Sequence, residues 1–176
     1  MPESYLIDDF SSEQRASNGR HWRFFSDRVM GGVSDGRALH ATVDGRSALR
    51  LSGRVSLDNN GGFIQMALDL AADGEQFDAS AFTGVAVTLR GDGGRYAVNL
   101  RSSDIRRPWQ SYRAAFATSG SWQTHYLTFE DFQAHRIDRP LDPGKLRRIG
   151  LIAIGEERKV ELAVSRLAFY SAGTRA

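Results

Sequence analysis

Residues 32–36, Gly-Val-Ser-Asp-Gly, have the G-x-S-x-G spacing of a serine hydrolase nucleophile elbow. That chemistry needs a strand before the serine and a helix after it, because the strained turn between them exposes the hydroxyl. The residues that follow Asp35-Gly36, RALHATV, instead alternate with the period of a strand, and 176 residues are short for an α/β hydrolase scaffold. Ser34 therefore reads as a turn residue. A phosphate cradle fails similarly, since neither G-x-G-x-x-G nor Gly-Lys-Ser/Thr occurs. His21, His40, His125 and His135 never fall at the i, i+3 or i+4 spacing of a helical metal pair. A distant trio stays open, but His125 is in phase with Leu127 and Phe129 and reads as a buried, hydrogen-bonded histidine. Asp8-Asp9 and Glu156-Glu157 are adjacent pairs, which a strand points to opposite faces. Glycosidase chemistry would need carboxylates from separate strands facing each other across a cleft.

The elements that must position these groups are strands. Short alternating segments are separated by turn residues at intervals of roughly ten to fifteen residues, as in all-β sandwiches. They are ALHATV (38–43), SALRLSGRVS (47–56), GFIQMALDL (62–70), TGVAVTLRG (83–91), RYAVNLRS (95–102), SYRAAFA (111–117), WQTHYLTF (122–129), RIGLIAIG (148–155) and VELAVSRLAFY (160–170). GDGG (91–94) reads as the turn of a hairpin between two of them. Only 129–135 and 142–148 look like short helical turns, the second capped by Asp142 and started by Pro143. Trp22 and Trp122 sit in apolar strands and read as core. The expectation is an all-β, antiparallel β-sandwich of jelly-roll type, one domain spanning 1–176.

Composition narrows the function. There is no cysteine, which excludes disulfides, thiolate metal sites and a thiol nucleophile. The net charge is only +2, with 23 basic residues spread among 21 acids and grouped in no more than short pairs such as Arg106-Arg107 and Arg147-Arg148. Nucleic-acid binders concentrate such residues on one face, so no nucleic acid is expected as a partner. The longest apolar tract, IGLIAIG, is strand length, so no membrane insertion is expected. The start, MPESYLIDDF, has neither a basic n-region nor an apolar stretch, which points to a cytoplasmic protein. No cofactor is expected, and no EF-hand spacing occurs, although a structural calcium ion held by carboxylate and carbonyl oxygens stays open for a jelly roll.

The polar side of the strands is more informative. Gln65, Thr88, Arg90, Asn99 and Arg101 lie out of phase with Ile64, Met66, Val87, Leu89, Val98 and Leu100. If strands 62–70, 83–91 and 95–102 are neighbours, these five share one face. The loop SSDIRRPWQSY follows directly, adding Trp109 and Tyr112. Arginine and amide groups beside aromatic rings suit a sugar, a polar ligand or a protein surface; the alternative is that Trp109 and Tyr112 cover a sheet edge or complete the core.

The runs WRFFSDRVMGGVSDG (22–36), NNGGFIQMALDL (59–70), YAVNLRSSDIRRPWQSYRAAF (96–116) and WQTHYLTFEDF (122–132) together resemble the complex I intermediate-associated protein 30 family. The resemblance implies a galactose-binding-like jelly roll related in shape to carbohydrate-binding modules, without a settled enzymatic activity. Mitochondrial members help to assemble the membrane arm of respiratory complex I. The implied partner is a protein, such as a membrane-complex assembly intermediate, with a saccharide as the alternative. In this chain Met66-Ala67 stands where many relatives carry an arginine. Asp27, Gly31, Gly32 and Ser34, with Asn60, Gly61 and Gly62, are expected to order two loops, the glycines allowing backbone that other residues resist.

Overall fold

The computed structural model describes residues 4–172; residues 1–3 and 173–176, the ends of the domain expected over 1–176, lie outside it. Twelve strands follow one another: β1 (Ser4–Asp8), β2 (Arg23–Ser26), β3 (Asp35–Val43), β4 (Arg46–Val55), β5 (Phe63–Asp69), β6 (Gly84–Gly91), β7 (Arg95–Ser102), β8 (Ser111–Ala117), β9 (Gln123–Thr128), β10 (Gln133–His135), β11 (Leu146–Ile154) and β12 (Arg158–Tyr170). They form two six-stranded antiparallel sheets. One has the order β3-β4-β12-β6-β9, with β1 pairing β12; the other runs β10-β8-β7-β11-β5-β2. The architecture is the expected antiparallel jelly-roll sandwich.

Alternation does the packing. Ile64, Met66 and Leu68 of β5, Val98 and Leu100 of β7, and Ile149 and Leu151 of β11 meet Val85, Val87 and Leu89 of β6 and Leu162, Val164 and Leu167 of β12 in one core. A register shift at Leu146/Arg148 places one extra residue in β11, so Leu146 and Ile149 both face inward although three positions apart. The short turns at 129–131 and 143–145 are 3-10, and the Gly144 amide donates to the Asp142 cap at 2.9 Å.

Three expectations change. Strands β6 and β7 are not a hairpin: β6 pairs β12 and β9, whereas β7 pairs β8 and β11, so residues 91–94 carry the chain from one sheet to the other. Both strands put their apolar sides into the same core from opposite directions, and alternation cannot tell that from pairing. Trp122 is half-buried outside the core, flanked by the Arg46 and Arg90 guanidiniums at 5.1 and 5.9 Å from its ring centroid. His125 does face Phe116 inside the sandwich, at 5.1 Å, but its Nε2 has no hydrogen-bond partner.

Candidate functional site

The residues of the two glycine-bearing runs converge on one carboxylate. Ser26 ends β2 and caps a 3-10 turn over Asp27–Met30, which Gly31 closes at φ 87°. The turn reverses the chain so that Asp27 points back under it, with no exposed surface. Asp27 Oδ1 accepts from the Ser34 amide at 2.9 Å; Oδ2 accepts from the Ser34 hydroxyl and the Gly62 amide at 2.5 Å each, and from the Phe63 amide at 3.2 Å. A Cβ on Gly32 or on Gly61 would run into this carboxylate, which is why both positions lack one. Asn60 ends a second 3-10 turn over Asp58–Asn60 that delivers Gly62, at φ 143°, to Asp27. Burial raises the Asp27 pKa, but the hydrogen bonds from Ser34, Gly62 and Phe63 outweigh it and hold the carboxyl below its usual value. Ser34 is itself fully buried, accepts from the Ser56 amide at 2.8 Å and is followed by β3, so it has none of the exposure of a hydrolase elbow. This cluster holds loops together.

The outward side of the β10–β2 sheet carries the other candidates. Asn99 and Arg101 of β7 lie on it, and Gln65 of β5 reaches them across β11, because the residue between is Gly150. Asn99 Nδ2 donates to Gln65 Oε1 at 3.0 Å, over the place where a Gly150 side chain would stand. Asn99 is 7% exposed, and its Oδ1 has no partner. If both amides were turned over, Nδ2 would be left instead. Arg113 of β8 stands opposite Asn99 in register, with Gln133 of β10 on its other side. Its Nε donates to Ser111 Oγ at 3.2 Å, while its two Nη groups have no partner among the described residues.

Arg101 does different work. Its Nη1 donates to the carbonyls of Pro108 and Gln110 at 3.3 and 2.9 Å, and its Nη2 to that of Arg107 at 3.4 Å. It thereby ties down the loop that displays Trp109, which is 54% exposed with the Arg107 guanidinium 5.9 Å from its ring centroid. Burial, then the nearby Arg148 and Arg147, push the Arg101 pKa down. Burial does the same to Arg113, and burial followed by the Arg113 charge lowers His135.

Three expected members of the face are elsewhere. Thr88 and Arg90 belong to β6 in the opposite sheet, where Thr88 meets Thr124 and Arg90 pairs with Asp44 at 2.9 Å. Tyr112 has no exposed surface, because in β8 it is in phase with Ala114 and Phe116 and enters the core. The same phase turns Arg113 outward, a signal the sequence carried. Arg148 of β11 also joins the face, donating to Asp69 at 3.1 Å, and Phe25 of β2 lies beneath the guanidiniums of Arg148 and Arg23 at 5.4 and 5.5 Å. Among the described residues no three His, Asp, Glu or Cys side chains gather as a metal site would require, and no helix is long and apolar enough to cross a membrane.

Solved structures share the architecture. A family 11 carbohydrate-binding module from Clostridium thermocellum, determined with a β-1,3-1,4-mixed-linked tetrasaccharide, is 16% identical, with a TM-score of 0.70 over 96% of both chains. A family 30 module of a cellulosomal cellulase from the same organism is 14% identical, with a TM-score of 0.69 over 96% of this chain and 98% of its own. An exo-β-agarase, 12% identical, matches 94% of this chain with 25% of its own length, at a TM-score of 0.60. These likenesses establish the fold. No curated protein sequence matches the chain. Residues 9–164, which include both runs that meet at Asp27, match complex I intermediate-associated protein 30, and the chain belongs to that family.

Proposed function

We propose that the protein is a non-catalytic binding module that captures a protein partner on the outward side of the β10–β2 sheet, in the assembly of a respiratory or other membrane complex. The observation that carries this reading is the half-finished hydrogen bonding at the centre of that face. A nearly buried Asn99 keeps one polar atom unpaired, and Arg113 opposite it keeps its guanidinium ends free. Buried polar groups are ordinarily satisfied, so the Asn99 atom favours a ligand that completes it, and the open guanidinium of Arg113 beside it offers that ligand a charged anchor. Family membership supplies the link to assembly. Capture from the native host tests it: wild type should enrich subunits of complex I or of another membrane complex, and a folded Arg113→Ala/Trp109→Ala variant should not. Equal enrichment by both would remove the face from the reading.

A second reading, a saccharide on the same face, is favoured by the exposed Trp109 and by a fold shared with modules such as the tetrasaccharide-bound one. Titration with β-glucan oligosaccharides would then change tryptophan fluorescence and raise the melting temperature; no change in either would end it.

A further inference from the structure

We infer that the group this face receives is a carboxylate, carried by an acidic segment of the partner protein; the inference rests on the binding role proposed above. Charge gives the first argument. The outward strand positions of the sheet hold Arg23, Arg95, Arg101, Arg113 and Arg148, and their only carboxylate among the described residues is Asp69. Asp69 is already engaged by Arg23 at 3.3 Å and Arg148 at 3.1 Å. Arg101 is occupied by the loop carbonyls, and Arg113 forms no ion pair among the described residues.

Geometry gives the second. A guanidinium with both Nη groups unpaired presents the planar fork that a carboxylate fits with two parallel bonds. Arg113 is half-buried by its neighbours on the sheet, and water compensates a recessed charge less well than an exposed one. Next to the fork, the spare polar atom of Asn99 can pair with a backbone amide of an approaching segment, or with its carbonyl if the amide is turned over.

The aromatic groups decide between a peptide and an acidic sugar. A sugar-binding face needs an open ring to stack on. Here Phe25 lies under two guanidiniums, Tyr112 is in the core, and the exposed Trp109 stands out on the loop with the Arg107 guanidinium 5.9 Å from its centroid. The half-buried Phe63 is on β5, three strands from Arg113, so no open ring stands beside the Arg113 fork on its own strand. An extended peptide needs no such platform. The six strands span about 24 Å at roughly 4.8 Å between neighbours, room for seven extended residues at about 3.3 Å each.

The test is titration of the full chain with hexaglutamate and hexaglutamine, followed by the NMR signals of the Asn99 side-chain amide and the Arg113 guanidinium. Saturable shifts with hexaglutamate alone, weakened at least tenfold between 50 and 500 mM NaCl, are expected. Arg113→Gln should lose at least tenfold in affinity at an unchanged melting temperature, and Arg113→Lys, which keeps the charge but not the fork, should fall between. Equal shifts with both peptides, or none with either, overturn the carboxylate assignment. In that event the capture experiment separates the causes: partner enrichment that still depends on Arg113 leaves the binding role standing, and enrichment independent of it removes both. Tighter binding of hexagalacturonate than of hexaglutamate would overturn the assignment to a protein segment.

Discussion

Replacing Asp27 by asparagine should be among the most damaging single-atom exchanges in the protein. The carboxylate accepts four hydrogen bonds from Ser34, Gly62 and Phe63 inside a site with no exposed surface. An asparagine in its better orientation keeps a carbonyl where Oδ2 stood, for the Ser34 hydroxyl and the Gly62 and Phe63 amides, and turns its NH2 toward the Ser34 amide, donor to donor. One buried backbone donor then goes unpaired at roughly 1–3 kcal/mol and three bonds lose the strength that the charge gave them, so the expected loss is about 3–5 kcal/mol. For a chain of this size each kcal/mol shifts the melting temperature by about 2–4 °C, which gives a fall on the order of 10 °C. Urea unfolding of both proteins, followed by tryptophan fluorescence and circular dichroism, measures it. The acid limb gives a second readout. The folded pKa of Asp27 lies below its unfolded value near 3.8, so its stabilisation is present above that value and is lost as pH falls through the folded pKa. Asp27→Asn should therefore flatten that limb. A loss below about 1 kcal/mol, or an unchanged acid limb, would refute the idea that this carboxylate joins the loops.

Ser34→Ala removes one bond to Asp27 and leaves the Ser56 amide without its acceptor; urea unfolding should record a loss of about 1–3 kcal/mol. Arg101→Gln frees three loop carbonyls, so limited proteolysis should cut within residues 103–110 faster and Trp109 emission should shift to the red, with the sheet intact by circular dichroism. Tyr112→Phe should cost less than about 1 kcal/mol, because its hydroxyl meets the Pro140 carbonyl at a long 3.5 Å, whereas Tyr112→Ala should cost about 3–5 kcal/mol. Burial holds His125 below its ordinary pKa near 6.5. The unfolded chain therefore takes up the proton first, and stability should fall as pH drops from 6.5 toward the folded value; His125→Gln should reduce that slope in melting curves.

The fold was readable because a strand with one wet side writes its period into the sequence: 62–70, 111–117 and 160–170 became β5, β8 and β12 within two residues at either end. Partner choice leaves no such trace. Val85, Val87 and Leu89 look the same whether the next strand pairs beside them or faces them across the core, and this is how Arg90 came to be assigned to the wrong face. Strands β2 and β10, four and three residues long, are too short to show a period. Tyr112 stands where a polar loop meets a strand, and its phase with Ala114 and Phe116, not the character of the loop, points it inward and Arg113 outward. The role of Asp27 was legible only as a polar residue in a glycine-rich turn, since no local rule links position 27 to position 62.

The Asp27 cluster also constrains how such a chain can vary. The hairpin of β3 and β4 leaves the β2 sheet through residues 27–34 and returns to it through 56–62, and both passages are gripped by the same carboxylate. Neither passage can lengthen, shorten or exchange a glycine alone, because Gly32 and Gly61 press on that carboxylate from the two sides. For divergence within the family the two runs behave as a single locus: a change tolerated in one should be accompanied by a compensating change in the other.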